Sequence, residues 1–176
     1  MSNKFLIAAA AAFVAAVASP VFAQSTASTT GTGSITIIRP ITITKNADLA
    51  FGTVVRPSTG AGTAVISNAG VRSVTGGVVA LSSGATPTAA AFTVAGEGGQ
   101  SISVTVPATF TMNAGSEVLT VTTTNSLAGS ASAQTLSNAL GAAGALAFTV
   151  GGSVPIASST VSGVYSGSFT VSAAYN

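Results

Sequence analysis

Apolar residues recur at every second position along most of this chain, and glycine, asparagine and serine punctuate the runs. Ile35, Ile37, Ile41 and Ile43 all fall on odd positions. Phe92/Val94, Ile102/Val104/Val106, Leu119/Val121, Leu146/Phe148/Val150 and Phe169/Val171 each alternate with Thr, Ser or Ala. Successive side chains of a strand point to opposite faces, so this period predicts strands that bury one face and wet the other. The punctuation predicts turns at residues 68–70, 97–99, 113–115, 125–129, 151–152 and 162–163. Short strands at this spacing predict an all-β fold, specifically an immunoglobulin-like antiparallel β-sandwich. Residues 92–107 read as a β-hairpin. Helical character is confined to residues 137–145, where Gly141 and Gly144 reduce it to a loop with at most one turn.

The start of the chain has its own pattern. Lys4, an apolar stretch over residues 5–18, Pro20 and then Val21-Phe22-Ala23 form the three parts of a secretory signal, with cleavage expected between Ala23 and Gln24. An apolar run of about 14 residues is shorter than the ~20 that a spanning helix needs. Residues 1–23 are therefore expected to be a signal peptide, and the protein to be secreted or held at the cell surface by way of the periplasm. Residues 24–33 contain no large apolar side chain and read as a flexible leader. Residues 34–176 are the expected single β-sandwich domain. Both 34–39 and 41–45 read as strands, and Pro40, which has no N–H, either separates them or lies on an unpaired edge.

Composition narrows the chemistry. The chain has no His and no Cys, and charged residues make up 5% of it. Ser-His-Asp and Cys-His catalysis are thereby excluded, as are the imidazole and thiolate ligands of zinc and copper sites. After Ala23 the only carboxylates are Asp48, Glu97 and Glu117, and the first two lie in turn contexts where a solvated carboxylate is the ordinary reading. No catalytic, metal or cofactor-binding residue is assigned, and no enzyme activity is expected. Arg39, Lys45, Arg56 and Arg72 are too scattered to make a nucleic-acid surface. Without a disulfide, packing and ladder hydrogen bonds must hold the fold.

Residues 33–55, GSITIIRPITITKNADLAFGTVV, resemble the start of a family of secreted bacterial proteins known only as a domain of unknown function. Residues 163–176, GVYSGSFTVSAAYN, are similar to that family's ending. Both more distantly resemble spore-coat-U and archaic chaperone-usher pilin subunits, in the alternating leader, the Leu49-x-Phe51-Gly52 motif and a last strand with an aromatic at its end. Many such pilins carry a disulfide near the first strand, and this chain does not. The resemblance implies a sandwich that lacks one strand and is completed by a donor strand from a neighbour. Residues 34–38, with Ile35 and Ile37, are the candidate donor strand, and Phe169, Val171 and Tyr175 the candidate groove or last strand. It also implies a structural role in a surface filament or fimbria-like assembly that takes part in adhesion. The partners would be copies of itself or related subunits, with a periplasmic chaperone and an outer-membrane usher handling it. The alternative is a monomeric secreted or periplasmic β-sandwich that binds polysaccharide or another surface ligand. In that case residues 34–38 form an ordinary edge strand of their own domain.

Overall fold

A computed structural model describes residues 25–127 and 133–176. The expected signal segment and its Ala23/Gln24 junction lie outside these residues. The chain divides into two units after Ile35. In the first unit, residues 25–35 are irregular and exposed throughout. The second, residues 36–176, carries all the strands and no helix.

Twelve strands form among the described residues, and every pairing is antiparallel. They are β1 (Thr42–Ala47), β2 (Val54–Val55), β3 (Ala61–Ile66), β4 (Arg72–Thr75), β5 (Val79–Ala80), β6 (Ala90–Glu97), β7 (Ser101–Thr105), β8 (Thr109–Ala114), β9 (Glu117–Asn125), β10 (Gln134–Thr135), β11 (Ala143–Ala157) and β12 (Ser172–Tyr175). The main sheet runs β1-β6-β11-β3-β4, with the β8–β9 hairpin joined to β11 through β9. A smaller sheet, β10-β7-β12, packs over one end, and β2 pairs with β5 as a short ribbon. The protein is an all-β, sandwich-like fold of curled antiparallel sheets.

Two cores result. Phe92 and Val94 of β6 and Phe148 and Val150 of β11 face Ile102 and Val104 of β7, and Leu127 and Leu136 close the sides. Phe92 and Phe148 are register partners across β6 and β11, with stacked rings 5.5 Å apart. The second core lies at the other end of β11. There Val154 and Ile156, with Ala64 of β3, meet Val121 of β9 under a rim of half-buried side chains that includes Leu49, Phe51 and Leu119.

Strand β11 serves both cores because its partner changes midway. On one edge β6 pairs with it as far as Val150, opposite Ala90, and β3 takes over at Gly152, opposite Ile66. On the other edge β9 spans Val150 to Ser153. Gly151 falls in the gap between β6 and β3, and its N–H is satisfied by the Asn68 side-chain oxygen at 3.2 Å. Thr124 of β9 donates to the same oxygen at 3.0 Å, so its hydroxyl crosses β11 where Gly151 has no side chain to block it.

Three sequence expectations change here. Gly151-Gly152 is a bend inside a continuous strand rather than a turn, the common use of glycine where another backbone comes close. Residues 92–107 are not a hairpin, because β6 and β7 belong to different sheets and cross the first core from opposite sides. The backbone of Gly98 and Gly99 instead bonds to Ala142 and Leu136. Residues 34–39 form no strand: an alternating pattern gives a segment two faces but supplies no partner edge, and Pro40 withholds one donor. Hairpins form instead at β3–β4 and at β8–β9, the latter turning on Gly115-Ser116 with Gly115 at φ 63°.

A Cβ on Gly151 would run into the Ile66 carbonyl and one on Gly152 would lie 2.9 Å from Val121 Cγ1. Gly151→Ala is therefore expected to destabilise the fold by about 1–3 kcal/mol, as overpacking does. Thermal denaturation checks this: the midpoint should fall by several degrees, and an unchanged midpoint would show that β11 has no such constraint.

Candidate functional site

The second core is open along one side. Three adjoining hollows of about 390, 530 and 350 Å³ form a single strip. The first two share Leu49, Met112 and Tyr165, and the last two share Val54, Leu119 and Ile156. The floor is apolar: Phe110 and Met112 of β8, Leu119 of β9, and Val154 and Ile156 of β11. One wall is the run from Lys45 to Arg56 and the other the run from Thr160 to Phe169.

The second wall lies over β8 without joining a sheet. Its one ladder contact is an isolated bridge in which Ser166 and Asn113 exchange both backbone hydrogen bonds. Gly167 permits this approach, since a Cβ there would strike the Thr111 carbonyl. Backbone groups alternate in direction along an extended chain, so those of Tyr165 and Gly167 face away from β8. Strand β1 is likewise an edge strand, paired with β6 alone. The groove thus combines an apolar floor with one rim, residues 160–169, that pairs with β8 at a single point, whereas the facing wall is paired at Ala50, Thr53 and β2. An apolar floor beside backbone left open is what a docking strand uses.

Phe169 spans the two cores. Its ring meets Phe110 at 4.9 Å and Phe92 at 6.1 Å. Of the residues expected to mark the groove, Phe169 lines it. Val171 packs half-buried against the first core, and Tyr175 lies at the far end of the domain. Ile35 and Ile37 are 84% and 83% exposed.

Tyr175 belongs to a polar cluster absent from the sequence reading. Glu97, at the end of β6, is only 3% exposed. One of its oxygens accepts the Arg39 N–H at 3.3 Å and Arg39 Nη1 at 2.8 Å, and the other accepts the N–H of Gly141. The Glu97 N–H donates to the Tyr175 hydroxyl at 2.7 Å, and that hydroxyl donates to the Arg39 carbonyl at 2.9 Å. The expectation of a solvated turn carboxylate is therefore corrected for Glu97. The Gly-Glu-Gly setting tells of a turn, and nothing local reveals partners 58 and 44 residues away. Asp48 does sit at the surface, paired with Lys45 at 2.5 Å.

A family model described as "Domain of unknown function (DUF4402)" matches residues 41–175. The chain belongs to this family. No curated protein and no solved structure gives a significant match. The DUF4402 region thus begins just before β1 and takes in the groove and, of the cluster, Glu97, Gly141 and Tyr175 but not Arg39. Among the described residues no group of three or more His, Cys, Asp or Glu is placed to hold a metal ion.

The Glu97 carboxyl is held below the usual carboxylate range chiefly by the Gly141 N–H, against the opposing effect of burial, with further help from the Arg39 N–H and guanidinium. A pKa lowered on folding adds stability above the unfolded value, which is lost as pH falls through the folded value. With no His or Cys to titrate, the melting midpoint of the DUF4402 domain should be nearly flat from about pH 5 to 9 and fall below about pH 4. Glu97→Gln should flatten much of the acid fall. A large change between pH 6 and 8 would reveal a coupled group that this account lacks.

Proposed function

We propose that this DUF4402 protein is a structural subunit of an exported surface filament, in which the leader of one copy lies as a strand in the groove of the next. The observation that carries this reading is the pairing of two unsatisfied surfaces in one chain. Ile37 stands exposed on a segment outside any ladder, and the groove presents an apolar floor beside a rim, residues 160–169, that pairs at one point. Isoleucines at every second position would enter successive hollows, and the strand's backbone would bond to that rim, giving affinity and register together. Each buried Ile contributes roughly 1.5–3 kcal/mol, so the joint needs no charge.

Chain geometry favours a neighbour over the subunit's own groove. Arg39 is tied to Glu97, whereas the nearest part of the groove lies at Phe92 and its register partner Lys45. Five residues of β6 separate these points, about 17 Å at the rise of a strand. Ile37 is two residues from Arg39 and reaches at most about 7 Å from it. A donor site and an acceptor site at separate places on one domain make a heterologous contact, which can repeat from copy to copy into a filament wherever its rotation does not close into a ring or an exchanged dimer. Periplasmic handling by a chaperone and usher fits the expected export route, and adhesion would be a property of the assembled fibre.

The test is Ile37→Asp. An unpaired carboxylate in the joint should abolish fibres and higher assemblies in electron microscopy and size analysis. The melting midpoint of the single copy should stay unchanged, because Ile37 is already in solvent. A synthetic peptide of residues 30–39 should stabilise a copy lacking its leader, by about 2.7 kcal/mol at a hundred times its dissociation constant. Normal assembly by the Ile37→Asp protein, or no thermal shift with the peptide, would rule out the strand joint.

A further inference from the structure

The cluster around Glu97 sits where the leader joins the domain, and it grips one residue from all sides. Arg39 has its N–H on Glu97, its carbonyl on the Tyr175 hydroxyl, and its guanidinium shared between Glu97 and the Gly141 carbonyl, the last at 3.2 Å. These partners come from the end of β6, the loop before β11 and the end of β12. Arg72 is also well held, by the carbonyls of Phe51, Thr53 and Leu81, but Arg39 is the cation that meets a buried carboxylate; Lys45 has one exposed partner, and Arg56 bonds a single carbonyl.

We infer that Arg39, Glu97, Gly141 and Tyr175 form an acid-sensitive clasp that pins the first residues of the domain, up to Arg39, against the ends of β6 and β12. Both carboxylate oxygens already accept N–H donors. Oε2 holds two donors and Oε1 one, so a proton can add at Oε1, and in doing so it removes the charge that holds the guanidinium and weakens every N–H bond to the group. The groups facing Glu97 include two titratable ones, the Arg39 guanidinium and the Tyr175 phenol. Residues 137–142, β7 and β10 contribute Ser, Asn, Gln, Thr and apolar side chains alone. Glu97 is therefore the group that changes state when the medium is acidified. The clasp acts within one copy and stands whether or not the leader passes to a neighbour.

The chain has no cysteine, so Thr36→Cys supplies a unique attachment point for a nitroxide on the leader, and Ser73→Cys on β4 supplies a control. Electron paramagnetic resonance on the single-copy fraction reads leader motion separately from any assembly. At pH 7 the Thr36→Cys label should show restricted motion. Its lines should narrow as the pH falls below about 4, while the Ser73→Cys label stays rigid. Adding Glu97→Gln should give the narrow lines already at pH 7 with no further pH dependence. Arg39→Met, which leaves the carboxylate intact, should do the same. Unchanged lines in the parent down to pH 3, narrowing of both labels together, or restricted motion at pH 7 in both variants would each overturn the clasp.

Discussion

The fold depends on β11 meeting three partner strands within fifteen residues. No disulfide is available, and the two ion pairs among the described residues are a half-exposed one at Glu97 and a solvated one at Asp48. Exposed pairs contribute little, so ladder bonds and apolar burial must carry the stability. Two glycines let β9 and β3 approach closely enough to bond at the place where β6 ends. Asn68, from the β3–β4 turn, supplies the one acceptor that the change of partner would otherwise leave missing. The same step turns the second half of β11 toward a different set of neighbours, which is why there are two cores rather than one.

The two cores are finished differently. The first lies between two sheets and is closed by Leu127 and Leu136, both buried. The second is bounded by a single curled sheet and by a run of chain, residues 160–169, that pairs at one point. Phe169 links them by contacting rings in both. An edge with unpaired backbone is harmless while water serves its donors and acceptors, yet it remains a template for another strand. Charge is the usual guard on such an edge. Here the rims carry only Lys45, Asp48 and Arg56, and the first two neutralise each other.

The faces of the strands were legible in the sequence, and their partners were not. Phe92, Val94, Ile102, Val104, Phe148 and Val150 are all buried, as their alternation predicts. Alternation could not show that β6 and β7 stand in different sheets, because a turn at Gly98-Gly99 looks the same whether it closes a hairpin or a crossing. The bend at Gly151-Gly152 did leave a trace. Phe148, Val150, Val154 and Ile156 share one parity across it, as a continuous strand requires. Phe169 was singled out as a groove candidate by the resemblance alone; its period-two run says only that it faces something apolar, as its contacts with Phe110 and Phe92 show. The clasp was invisible for a different reason: it joins residues 39, 97, 141 and 175, and no local pattern encodes a carboxylate's distant donors.

In the proposed joint, the clasp and the groove would divide the work of association between order and affinity. A free leader must surrender backbone freedom when it pairs, about 1–2 kcal/mol for each residue fixed. That loss sets against the gain from burying Ile35 and Ile37, and for a short strand the two are comparable in size. Anchoring Arg39 by its N–H, carbonyl and guanidinium means that the root of the leader is already ordered before a neighbour arrives. Part of the entropy is then lost on folding rather than on binding, which strengthens binding without adding a contact. A chain so poor in charge gains most by placing its one buried carboxylate at this position. Within the groove a charge would have to be desolvated against apolar walls, whereas at the root it orders the segment that the walls receive.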